Sequence, residues 1–207
     1  MDRARYLLPH PPHDELSPDG RRRRGQDSRA RIVQAMLDLV REGHVSPSAE
    51  LVASRANVGL RTVFRHFKDL ESLYREMSGV IEAELVALAD TPFKAVGWRE
   101  RVLELVERRG WAYERIAPFK RASAVHRHQS SVLTLDNARL VAGARDILRR
   151  ELPASLTGAR NLFEAIDLLL SFDAWRRLRQ EQELSVEATT EVLQAAISAL
   201  LDRADAA

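Results

Sequence analysis

The chain has 207 residues, of which 45% are hydrophobic, with a net charge of +2 and no cysteine. This content supports one sizeable core, or a small head with a larger body, and excludes a chain that is disordered throughout. The lack of cysteine excludes disulfides and thiolate metal sites. No apolar run approaches the roughly 20 residues that a membrane helix needs, so a soluble cytoplasmic protein without a secretory signal is expected.

Residues 1–26 hold Pro9, Pro11, Pro12, Pro18 and Gly20 and show no sustained hydrophobic period, which predicts a flexible basic tail. From Arg21 to Arg31 six arginines stand against one acid, Asp27. Nucleic acid is the natural partner of such a run. Arg23 and Arg24 can reach a minor groove, or equally can add only non-specific affinity. The first helix follows, with Asp27 or Ser28 as its cap. Ile32, Ala35, Met36, Leu39 and Val40 give it a 3.6-residue period, and Gly43 ends it.

Two short helical patterns then meet at a tight turn. Ser48 can cap the first, whose stripe of Val52, Ala53 and Ala56 is small enough for close crossing. Asn57-Val58-Gly59 makes the turn, with Asn57 suited to the left-handed conformation, Val58 to filling the gap and Gly59 to a sharp entry. In the second pattern Val63 and Phe67 face inward. Arg61 and Arg65 share one outer face, and Thr62 and His66 another. This is the layout of a helix-turn-helix reader of DNA. Arg61 and Arg65 can offer paired donors to guanine, Leu60 can meet a thymine methyl, and Thr62, His66 and Lys68 can contact base edges or phosphates, with Ser48 and Phe64 as further candidates on the same DNA-binding surface.

A fourth helix from about Asp69 to Ala89 is predicted to link head and body. Beyond Thr91-Pro92 the patterns give helices over 98–116, 119–128, 131–152, 157–180 and 185–204, with Pro118 and Pro153 as boundaries. No strand pattern or internal repeat is evident, so the fold class is all-α, with about nine helices. The last two helices are more apolar than one wet face requires. Leu162, Ile166, Leu169 and Leu170 form one stripe, and Val192, Ala195 and Ala199 belong to a second of small residues. Both read equally as internal core or as an interface between two copies. No metal-binding, phosphate-loop or nucleophile motif appears, so neither a metal, a cofactor nor an enzyme activity is assigned.

The segment RANVGLRTVFRHFKDLESLYREM, with the upstream IVQAMLDLVREGH, resembles the signature of the TetR family of bacterial transcriptional regulators. The resemblance implies a homeodomain-like DNA-binding head over 27–72 and an effector-binding and dimerisation body over 73–207. It also implies a homodimer on a palindromic operator, repression, and release by a small molecule. Under it, the stripes of the last two helices become a dimer interface. Trp98, Trp111, Tyr113, Phe119, Phe163, Phe172 and Trp175 become candidates to line an effector pocket. Three positions depart from the family pattern. Phe64 stands where a phosphate-touching tyrosine is usual, Gly59 where serine is common, and Leu70 where a lysine is common. These departures raise the alternative of a helical ligand-binding or protein-interaction module that has lost sequence-specific DNA binding.

Overall fold

The structure is a computed structural model that describes residues 18–128 and 130–205. Helix α1 spans Pro18–Arg41, so it begins well before the expected cap at Asp27. Pro18 stands at the first helical position, where a missing N–H costs nothing, and the arginines that follow are strong helix formers. This corrects the reading of a tail over 1–26. From Pro18 onward the arginine run rides on a helix, and the rest of the expected tail lies outside the described residues. Gly43 terminates α1 as expected, at φ +100, with the His44 amide reaching back to the Leu39 carbonyl at 3.0 Å.

Helices α2 (Ala49–Arg55) and α3 (Leu60–His66) form the helix-turn-helix. The Ser48 hydroxyl accepts from the Leu51 amide at 3.3 Å, which caps α2. Asn57 takes φ 51 and the Val58 amide closes the turn onto the Ala53 carbonyl at 3.0 Å. Gly59 is extended at φ −71, so its place in the turn draws on no freedom peculiar to glycine. Helix α4 (Leu70–Ala89) starts in a capping box, in which the Asp69 carboxylate accepts from the Ser72 amide at 2.8 Å.

Pro118 does not divide the next segment. Helix α5 runs unbroken over Trp98–Arg127 with Pro118 inside it, which corrects the reading of two helices. The proline removes one rung, but Val102, Leu105, Val106, Ala112 and Ile116 on one side of it and Phe119 and Ala122 on the other are all buried. Packing of that many side chains outweighs the roughly 3 kcal/mol that an interior proline costs. Helix α6 (Ser131–Glu151) ends before Pro153 as expected.

The predicted helix over 157–180 is broken into α7 (Ala154–Gly158), α8 (Arg160–Leu169), α9 (Phe172–Arg176) and a π-helical turn at Arg177–Glu181. One local and one tertiary feature sustain the break at 170–171. Ser171 caps α9 through the Ala174 amide at 3.2 Å. The Leu170 carbonyl accepts from the Tyr113 hydroxyl at 2.8 Å and from Arg109 at 2.9 Å. Helix α10 (Val186–Asp205) closes the described chain.

These helices surround two apolar cores. The first gathers α1 to α4 and continues into Ile116, Phe119 and Ala122 of α5 and Leu133 of α6. The second lies among α5, α6, α8, α9 and α10, around Val102, Leu148, Phe163, Trp175 and Ile197. Tyr113 packs against both. The head therefore rests on the C-terminal half of α5, and α4 is not its sole connection to the body.

Candidate nucleic-acid interface

Helix α3 is held from below by Val63 and Phe67, each 2% exposed. What it turns outward is two adjacent rows one helical turn long, Leu60 with Phe64 and Arg61 with Arg65, all exposed. Phe64 is 52% exposed and Leu60 37%, so the outer face of α3 carries a small apolar row beside its basic one. Lys68, two residues past the end of α3, is also exposed.

From Leu51 to Lys68 the chain contains no acid. Among the described residues Arg29, Arg41 and Arg55 of the head are in ion pairs with Glu76, Asp38 and Glu42. Arg61, Arg65 and Lys68 make no ion pair among the described residues. The head thus pairs these three arginines and leaves Arg61 and Arg65 of α3 without an ion pair among the described residues, an arrangement that attracts a polyanion. Arg55 and Glu42 form a bidentate pair with both contacts at 2.7 Å, which ties α2 to the end of α1. The arginine lowers the Glu42 pKa below the usual carboxylate range, first through this hydrogen bond.

The expected contact residues divide. Leu60, Arg61, Phe64, Arg65 and Lys68 share the exposed surface, and Thr62 is half-buried beside them. Ser48 is exposed, with its oxygen engaged in capping α2. His66 is turned inward. Its ring lies 4.0 Å from where a Cβ on Gly25 of α1 would stand, and its Nε2 is shut off from solvent with no partner. Burial first, then the neighbouring charges of Arg65 and Arg29, lowers its pKa. Arg23 is exposed on α1, and Arg24 lies on the same helix.

One residue that the sequence reading missed is Arg29. Its guanidinium donates to the His66 carbonyl at 2.8 Å and to Glu76 of α4 at 2.8 Å, and it lies 4.5 Å from the centre of the Phe67 ring. Its basic neighbours in sequence carry no signal of these partners, which are 37 to 47 residues away.

In the body, the seven aromatic side chains do not converge on one cavity. Phe119 is in the first core, and Phe163 and Trp175 are in the second, while Trp111 is 54% exposed under Arg115. Tyr113, Phe172 and Trp175 do form a cluster, with ring centres 5.5 and 6.4 Å from Tyr113. Trp98 instead lines a separate open groove of about 600 Å³ with Leu156, Leu162, Leu200 and Arg203. Of the seven residues assigned to a dimer interface, Ile166 and Leu170 are spent inside the second core. Leu162 and Leu169 are half-buried, and Val192, Ala195 and Ala199 are exposed. Among the described residues no helix is long and apolar enough to cross a membrane.

No family model and no curated relative matches the chain. Its fold is similar to several solved structures. A candidate transcriptional regulator of Streptomyces coelicolor A3(2) aligns at TM-score 0.61 and 23% identity, over 84% of this chain and 98% of that one. A tetR-family transcriptional regulator from Streptomyces coelicolor aligns at TM-score 0.64 and 17% identity, over 87% and 83%. A TetR transcriptional regulator from Rhodococcus sp. RHA1 aligns at TM-score 0.53 and 15% identity, over 86% and 97%. With its helix-turn-helix head and all-helical body, this chain has the fold of the TetR-family transcriptional regulators.

Proposed function

We propose that this protein is a sequence-specific DNA-binding transcriptional regulator, a repressor that occupies a palindromic operator as a homodimer and leaves it when a small molecule binds the body. The observation that carries the reading is the outer surface of α3, where Arg61 and Arg65 stand without ion pairs beside exposed Leu60 and Phe64. Guanidinium groups match guanine O6 and N7, and apolar side chains match thymine methyls and sugar edges. A row of each on one short helix suits the major groove. The bases that each side chain reads follow from the operator once it is known.

The dimer is supported by the face that α8 and α10 leave uncovered. Leu168 of α8 is 66% exposed, and one face of α10 exposes Val192 at 45% together with Ala195 and Ala199, whose side chains are small enough for a partner helix to approach closely. Two copies joined there would hold two α3 helices for two half-sites. Effector release would need only a small molecule that favours one spacing of the heads over the other. The aromatic cluster of Tyr113, Phe172 and Trp175, beside the Leu170 break, is a candidate place for it.

Selection of bound duplexes from a random library at physiological salt tests this reading. Enrichment of a palindrome with half-sites about one helical turn apart, or a multiple of it, is the expected result. Folded protein that enriches no motif would overturn it in favour of a helical binding module.

A further inference from the structure

We propose that Arg29 is a positioning residue for the recognition helix, one that sets the angle of α3 against α4 through Glu76 without itself contacting DNA. The proposal rests on the DNA-binding reading above. Helix α3 has only seven residues, so its last carbonyls lack intrahelical donors and its orientation depends on what holds its ends. At the N-terminal end Gly59 supplies no side-chain cap. At the C-terminal end the Arg29 guanidinium donates to the carbonyl of His66, the last helical residue, where the helix dipole also favours a cation.

The same guanidinium reaches two further groups. Nη2 is 2.8 Å from Oε1 of Glu76, and the plane sits 4.5 Å from the Phe67 ring centre. One side chain from α1 thus fastens the end of α3, the residue that follows it, and the second turn of α4. Only a planar fork with donors in fixed directions can serve all three at once, so lysine is no substitute here.

This role and direct phosphate contact predict opposite signs at Glu76. If Arg29 binds phosphate, the Glu76 carboxylate competes with the DNA, and Glu76→Gln strengthens binding. If Arg29 positions α3, Glu76→Gln weakens it. The experiment measures affinities of the full-length wild type, Arg29→Gln, Arg29→Lys and Glu76→Gln for the duplex that the wild type enriches from the random library. A scrambled duplex of equal composition and a salt series are run beside it, and thermal melts confirm that each variant is folded at the assay temperature.

Positioning predicts that Arg29→Gln and Glu76→Gln both bind the enriched duplex about tenfold more weakly, roughly 1.4 kcal/mol. It further predicts unchanged affinity for the scrambled duplex, an unchanged salt slope, and no rescue by Arg29→Lys. A merely structural role would lower the melting temperature and weaken both duplexes alike. The proposal is overturned by tighter binding of Glu76→Gln, by a salt slope reduced by about one in Arg29→Gln, or by wild-type affinity in both variants. If the wild type itself enriches no duplex, the DNA-binding reading has failed, and the proposal falls with it.

Discussion

Trp175 of α9 occupies the space over Gly110 of α5, where a Cβ on the glycine would stand 2.4 Å from the indole Cη2. The indole cannot swing away, because it is 2% exposed and its Nε1 donates to Glu114 at 2.8 Å. Glycine inside a helix ordinarily costs about 1 kcal/mol relative to alanine. Here the contact with a rigid ring outweighs that gain. Gly110→Ala is expected to destabilise the fold by about 1–3 kcal/mol. Thermal unfolding checks it, and an unchanged or higher midpoint would show that α9 can shift without cost.

At Gly59 the opposite outcome is expected. A Cβ there meets nothing within 4 Å, the backbone is extended, and the first amides of α3 have no side-chain cap. A serine hydroxyl would supply one. Gly59→Ser should raise stability by a few tenths of a kcal/mol, since glycine is itself a tolerable N-cap. Duplex affinity should rise with it as α3 becomes better ordered, and weaker binding in a titration would show that the hydroxyl crowds the DNA.

The exposed cations of the interface should separate by role. Arg61→Ala is expected to relax preference at particular base pairs at a cost of about 1–3 kcal/mol on the enriched duplex, whereas Lys68→Ala should weaken all duplexes alike and lower the salt slope by about one. Competition between the enriched and scrambled duplexes distinguishes the two. If both variants bound as the parent does, the reading surface would lie elsewhere than on α3.

His66 gives the head a pH dependence whose sign follows from its burial. Burial and the charges of Arg65 and Arg29 hold the folded-state pKa below the ordinary 6.5, so the unfolded chain binds a proton more readily. Stability from this group is therefore fully present above about pH 6.5 and is lost as the pH falls through the folded-state value. Denaturant unfolding from pH 7.5 down to 5.5 should show wild type losing more stability than His66→Asn. A parallel decline in the two proteins would place the ring in water.

Charge placed on the uncovered face of α10 tests the dimer. Ala195→Arg should convert the protein to a monomer in sedimentation while leaving its helical content intact, because this exposed position faces no part of its own core. Dimers that persist would exclude this face as the interface.

Much of the head was legible before any tertiary structure. Ser48, the Asn57 turn, Val63 and Phe67 are local signals, since a cap, a left-handed residue and a 3.6-residue period depend on neighbours within one or two helical turns. The outward rows of α3 follow from that same period. Long-range packing decided the rest. Pro118 is a local stop signal, overridden because side chains on both sides of it are buried. The apolar run over 157–180 reads as one helix, yet it breaks at Leu170, whose carbonyl finds donors on Tyr113 and Arg109 of α5. His66 looks like a surface donor by periodicity and is drawn inward against α1. The contacts of Arg29 with His66 and Glu76, like that of Trp175 with Gly110, join residues far apart in the chain. The amino-acid sequence determined which short segments form helices and which face of each is apolar. Only the assembled fold decided where those helices break and which charges remain unpaired, because both depend on groups that meet only after the chain has closed upon itself.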